Sequence, residues 1–169
     1  MEDLAAWRTG GQKEVSLRPE TARVAEGKQA LRIDVRIDHD AGEGIQGKQY
    51  PKGWPRVERN PQPPLDLSPV GAIGFDLWTE SSRAAMPGSS LHMILRDQSG
   101  ANWSANLGQL PLGKWQHFRL DLGAFRRDAI VHWQFFLSES DYNHGDAASF
   151  IIDNVVGYAA QRSRQLLPG

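Results

Sequence analysis

The chain has 169 residues, a length that one domain ordinarily takes and that can bury a core without covalent staples. A formal net charge of -1 gives no electrostatic case for nucleic acid, and no apolar run approaches the ~18 residues of a membrane span. Cysteine is absent, which excludes disulfides, cysteine nucleophiles and thiolate metal sites.

The chain opens Met1-Glu2-Asp3-Leu4, with no basic start followed by an apolar stretch, so no signal peptide is present in this sequence. Either a cytoplasmic protein or a mature domain trimmed of its leader is expected, and the abrupt start on what reads as a first strand favours the second. Helical periodicity is nearly missing, whereas period-two alternation runs throughout. Leu31, Ile33, Val35 and Ile37 alternate with Arg32, Asp34, Arg36 and Asp38, giving one greasy and one charged face. That is the pattern of a half-buried antiparallel strand. Tyr50 to Ser68 carries prolines at 51, 55, 61, 63 and 64 and reads as a short edge strand near Arg56–Arg59 followed by an irregular connection.

Ile73, Phe75 and Leu77 alternate with Gly74, Asp76 and Trp78, and Leu91, Met93 and Leu95 with His92, Ile94 and Arg96. Phe118, Leu120 and Leu122, then Trp133, Phe135 and Leu137, repeat the pattern, the latter against Gln134, Phe136 and Ser138. Phe150, Ile152 and Val155 mark a last strand, and 161–169 reads as a tail or linker. Gly-containing turns at Glu26-Gly27-Lys28, Ser99-Gly100, Leu112-Gly113 and His144-Gly145 separate the runs. Residues 1–160 are therefore expected to form a single all-β domain, an antiparallel two-sheet β-sandwich of about nine or ten short strands.

Four segments, in order, resemble the galactose-binding-like jelly rolls that include many carbohydrate-binding modules. They are Gly27-Lys28-Gln29-Ala30-Leu31, Ile73-Gly74-Phe75-Asp76-Leu77, Gly113-Lys114-Trp115 running on to Leu122, and Phe150-Ile151-Ile152-Asp153-Asn154-Val155. Two further stretches, around Trp54 and over Ser138–Asp146, are similar to uncharacterised domains accompanying glycoside-acting enzymes of environmental bacteria. The resemblance implies a jelly roll and a carbohydrate partner. It also implies an extracellular or periplasmic setting, with a glycoside-acting enzyme fused or associated.

It further implies a structural calcium that ties the first strand to the last. Such an ion needs hard oxygens. Glu2 or Asp3, the Lys28 carbonyl and Asp153 are the candidates, Asp153 standing in an otherwise apolar run. Alternatively, Asp153 accepts backbone hydrogen bonds and needs no ion. Asp141–Asp146 only superficially matches a calcium loop and reads as a surface loop.

Sugar rings stack their C–H faces on aromatics and need polar partners for their hydroxyls. Trp7, Trp115 and Trp133 read as packing residues, and Trp103 is ambiguous. Trp54, in a loop between Gly53 and Pro55, and Trp78, on a non-core face, are the candidates for stacking. Tyr50, His92, Arg96 and Gln134 are the candidates to complete a groove with them. In the alternative, loops fold over that face and bury it as a second small core. Glu58, Glu80, Glu139, His92 and Tyr142 are available for catalysis, but no spacing singles out the carboxylate pair of a hydrolase or the base of a lyase. The reading is a non-catalytic binding module. A sugar-acting enzyme and a protein-interaction or structural sandwich are the rivals.

Overall fold

The computed structural model describes residues 4–10, 13–40 and 54–160. They form two antiparallel sheets of five strands each, as the alternation requires. The first has the order β1 (Arg8–Thr9), β4 (Arg56–Arg59), β9 (Ile130–Phe136), β6 (His92–Asp97), β7 (Asn102–Asn106). The second has the order β2 (Val15–Glu20), β3 (Ala30–Arg36), β10 (Ala147–Ala159), β5 (Val70–Ser81), β8 (Trp115–Asp121). The strand near Arg56 is not an edge. It pairs with β9 on one side, and the two-residue β1 covers the other.

The core is the sum of the inward registers. Ile33 of β3 stands opposite Phe150 of β10, and Phe75 of β5 opposite Phe118 of β8. In the other sheet, Met93 and Leu95 of β6 stand opposite Phe135 and Trp133 of β9. Phe75 and Phe135 meet across the gap between the sheets, edge to face, with ring centroids 5.6 Å apart. Phe75, Phe135 and Phe150 have essentially no exposed surface. At about 25 cal/mol per Å² of apolar surface removed from water, such rings hold the sheets together. Trp7 and Trp133 are core residues too, packed edge to face at 5.8 Å, as their sequence context implied.

Trp115 is a correction. It pairs with Trp78 across β5 and β8 and therefore shares its outward face. Its neighbour Gln116 takes the inward parity, along with Phe118 and Leu120. Tyr142, one of the residues available as a base, is buried; its hydroxyl donates to the Ser90 carbonyl at 2.5 Å, and burial pushes its ionisation upward.

Candidate functional site

Among the described residues, the two outward faces differ in what lies over them. On the second sheet, Trp78 and Glu80 of β5, Arg32 and Asp34 of β3 and Ile151 of β10 point away from the core. The segment joining β2 to β3 folds across them. Arg23 of that segment sits over the Trp78 ring at 3.9 Å and pairs with Glu80 at 3.4 Å. The Trp78 indole N–H donates to Glu80 at 3.2 Å, and Trp115 packs edge to face against Trp78 at 5.8 Å. Ile151 is fully buried beneath this layer despite its outward parity. Arg32 is shared between Glu20 at 2.9 Å and Asp34 at 2.9 Å. Donation from the Ala22 N–H and from Arg32 holds the Glu20 carboxyl below its ordinary range. Trp78 therefore belongs to a covered layer, the alternative weighed for the groove, and lies on the opposite outer face from the other candidates.

Asp153 anchors the same segment. Its Oδ2 accepts from the Ala25 N–H at 2.8 Å and the Glu26 N–H at 2.9 Å, and its Oδ1 from the Asn154 N–H at 2.7 Å. Burial pushes its carboxyl up, but hydrogen bonds, those from the Glu26, Asn154 and Ala25 N–H groups among them, hold it below the usual carboxylate value. A kink in β10 makes this reachable. The pairing with β5 shifts register between Asp153 and Val156, and Asn154 takes a left-handed φ of 50°, which asparagine tolerates better than most residues.

Asp153 and Lys28 line one cavity of ≈ 700 Å³ with Glu26, Gln29 and Asn154. Carboxylate, amide and carbonyl oxygens are the donor types that calcium takes. Glu2 and Asp3 lie outside the described residues. In the Asp141–Asp146 loop, Asp146 is occupied by Arg83 at 3.0 Å and by the Asn143 N–H at 2.8 Å, as in an ordinary capped turn. One further group, Asp38, Asp40 and His144, brings ligand atoms within 4.8 Å of one another at the surface.

On the first sheet, no described segment covers the outward face. Register arranges its side chains in rows across the strands. Arg56, Phe136 and His92 form one row, Glu58, Gln134 and Ile94 the next, and His132 with Arg96 a third. Asn106, Ser104 and Asn102 of β7 extend the three rows. Trp54, 59% exposed, stands at the rim of a shallow depression of ≈ 330 Å³ that it lines together with Arg56, Ile94, Gln134 and Phe136.

Neighbours hold several of these groups in place. The His92 ring stacks on Phe136 with centroids 4.9 Å apart. That burial lowers its pKa, against the opposing charge of Asp141, and favours the neutral ring. His132 is held between Asn60 Oδ1 at 2.6 Å and Gln134 Oε1 at 2.9 Å. Arg96 Nε donates to Asn102 Oδ1 at 2.9 Å. The arrangement is an apolar strip with amide, imidazole and guanidinium groups beside it, suited to a flat ring carrying hydroxyls.

Of the sequence candidates, the structure brings Trp54, His92, Arg96 and Gln134 to one face and leaves Trp78 on the other. Tyr50 lies outside the described residues. Phe136, Ile94 and Arg56 were missed, although the same alternation that placed Gln134 and His92 outward also places Phe136 and Ile94 there.

No family model matches the chain, and no curated protein matches it in sequence. Solved structures match it in shape. An exo-β-agarase superposes with a TM-score of 0.64 at 14% identity, over 94% of this chain and 23% of the agarase's own length. A CBM22 xylan-binding domain of Paenibacillus barcinonensis Xyn10C gives a TM-score of 0.56 at 15% identity, over 89% of this chain and 83% of that domain. A carbohydrate-binding module of family 28, specific for non-crystalline cellulose, gives 0.53 at 17% identity, over 89% and 85%. The chain has the two-sheet β-sandwich fold of carbohydrate-binding modules.

Proposed function

We propose that the outward face of the first sheet binds a poly- or oligosaccharide without cleaving it. The observation that carries this reading is the exposed Trp54 beside Phe136 and Ile94, with Gln134 and Arg56 lining the same depression. An exposed tryptophan at the rim of an apolar strip is costly in water unless something covers it. Sugar C–H faces cover such a strip while their hydroxyls take the neighbouring amides and His92. Modules of similar shape bind xylan and non-crystalline cellulose, which supports the reading. Among the outward strand positions of this face, Glu58 is the one carboxylate, and Arg8 holds it at 3.2 Å. Glycoside hydrolysis takes a pair.

The same reading sets the domain outside the cell or in the periplasm of a bacterium, attached to or working beside a glycoside-acting enzyme. Its described helices include none long and apolar enough to cross a membrane. It also includes a calcium ion at Asp153 and the Lys28 carbonyl, completed by Glu2 or Asp3, which would add to the three N–H bonds already there.

The test is a glycan array followed by calorimetry, run on the native chain and on Trp54→Ala, Phe136→Ala and Trp78→Ala. Binding lost in the first two and kept in the third supports the face. Turnover of a bound glycan, or equal binding by all variants, refutes the reading.

A further inference from the structure

Both ring nitrogens of His132 meet side-chain amides on the outward face of the first sheet. Nδ1 lies 2.6 Å from Asn60 Oδ1, and Nε2 lies 2.9 Å from Gln134 Oε1. The strands set this up. His132 and Gln134 point the same way from β9, two positions apart, and Asn60 follows the last pair of β4 with β9, Arg59 with Trp133. The register of β9 against β6 shifts just past His132, between its partner Arg96 and Asp97. Such an irregularity re-aims a side chain.

An amide oxygen only accepts. Two such oxygens facing the two ring nitrogens need a proton on each, which is the charged imidazolium. The neutral ring has one N–H and one lone pair, and a lone pair repels an amide oxygen. One amide must then turn over and offer its NH2 group. The Nδ1 contact is the shorter, so Nδ1 keeps its proton, Nε2 gives its proton up, and Gln134 is the amide that turns. Gln134 also lines the depression beside Trp54. With its oxygen on the charged ring, it leaves its NH2 group, a donor, to the depression. With its NH2 group on the neutral ring, it leaves its oxygen, an acceptor. The charges around the ring come from both neighbouring strands. Arg96 stands opposite on β6, where Asn102 of β7 holds it, and Asp97 beyond it is buried and accepts from Ser99 and the Ala101 N–H. On β4, Arg59 precedes Asn60, and Glu58, in the row of Gln134, is paired with Arg8.

We propose that His132 is a positioning residue of the glycan face, whose protonation decides which end of the Gln134 amide meets the ligand. This rests on the glycan-binding reading above. Sugar hydroxyls both donate and accept, so they fit either state. Ring and glycosidic oxygens only accept. A glycan that sets one of them at Gln134 binds more tightly when the ring is charged, with the apolar strip unchanged.

The experiment has two arms on the full chain. The first is NMR without ligand from about pH 5 to about pH 8, the range in which histidine changes charge. It follows the ring nitrogens of His132 and the side-chain NH2 signals of Gln134 and Asn60. The expected result is that Nε2 loses its proton, Nδ1 keeps its own, and the Gln134 signals move with the same midpoint. In His132→Gln they stay still. A neutral ring protonated on Nε2, movement of Asn60 in place of Gln134, or a Gln134 amide indifferent to the ring overturns the proposal and leaves glycan binding standing. The second arm is calorimetry with xylohexaose and cellohexaose at both ends of the range, with melting temperatures as the folding control. Native protein should bind several-fold more tightly at the acid end. His132→Gln and Gln134→Leu should lose that difference, and His92, present in every variant, contributes equally to all. Native binding that does not change with pH, or a pH difference kept in both variants, overturns the positioning role. No binding to any glycan on the wider array overturns the glycan reading and the positioning role with it.

Discussion

Replacing Asp153 by alanine should be the most damaging polar substitution in the domain. The carboxylate has no exposed surface and receives three backbone N–H groups, two of them 127 and 128 positions away. It fastens the segment after β2 to the kink of β10, and with it the cover over Trp78. Each donor that loses a charged acceptor costs about 1–3 kcal/mol. Ala25 and Glu26 are exposed residues, so water takes back part of what their N–H groups lose. The net loss for Asp153→Ala is then about 3 kcal/mol, near the low end of three such penalties. For a chain of this length that lowers the melting temperature by roughly 6–12 °C. Asp153→Asn should also destabilise, because its one carbonyl oxygen can serve only one side and its NH2 group then meets an N–H donor on the other.

The pH dependence follows from the direction of the shift. The folded carboxyl is held below its unfolded value of about 3.9, so its contribution is complete above that pH and disappears as pH falls through the folded value. The stability gap between native protein and Asp153→Ala, measured by urea unfolding, should be widest near neutrality and close in acid. Calcium adds a separable arm. An ion bound to the native state raises its stability with concentration, by about 2.7 kcal/mol at one hundred times its dissociation constant. A chelator should therefore lower the melting temperature of native protein and leave that of Asp153→Ala unmoved. A loss below ~1 kcal/mol on Asp153→Ala at neutral pH refutes the accounting of the buried carboxylate. Indifference of native protein to both calcium and chelator refutes the ion alone.

Trp78→Ala should destabilise the domain by about 1–3 kcal/mol, because it uncovers Ile151 and removes the ring beneath Arg23, while glycan affinity stays as it was. Phe135→Ala removes the ring that meets Phe75 between the sheets and should cost about 3–5 kcal/mol in denaturant unfolding. The His92 ring should titrate by NMR below the ordinary histidine value, because burial disfavours its cation. In the window between that lowered value and ~6.5 the unfolded chain binds the extra proton, so acidification through it costs stability. Titration at or above the ordinary value rejects the burial argument, and Phe136→Ala should move it upward.

The sandwich was legible because its signal is local. Each inward residue of β3, β5, β6 and β9 announces itself by alternation, and the register then brings Ile33 to Phe150 and Leu95 to Trp133. Alternation also tells outward from inward, which is how His92, Gln134, Arg96 and Trp78 were found. It does not say which sheet a strand joins. β5 and β6 are consecutive in sequence but lie in different sheets, so Trp78 and His92 point to opposite sides of the molecule. Nor does alternation say what lies above an outward residue. The cover over Trp78 comes from a segment more than 50 positions earlier, through contacts of Arg23 and of the N–H groups at 25 and 26. Trp115 failed for a smaller reason: one residue of parity at a strand start, where the motif around Gly113 suggested core. Phe136 was passed over although the alternation already set it outward, because stacking was sought in tryptophan and tyrosine.

The proposed binding face is built on strands rather than loops. A side chain already held in one rotamer loses little entropy when a ligand arrives, whereas a free one costs about 0.5–1.5 kcal/mol to immobilise. Arg96 is such a case. Its Nε is held by Asn102 from the next strand, which aims the guanidinium while leaving its terminal nitrogens to a ligand. Asn102→Ala keeps every charge on the face and removes only that hold. If the arginine works by being aimed, the variant should weaken glycan binding several-fold, consistent with about 1 kcal/mol. Unchanged or tighter binding by Asn102→Ala means that the amide merely competed for the guanidinium, and that Arg96 contributes as a diffuse charge rather than as an aimed fork.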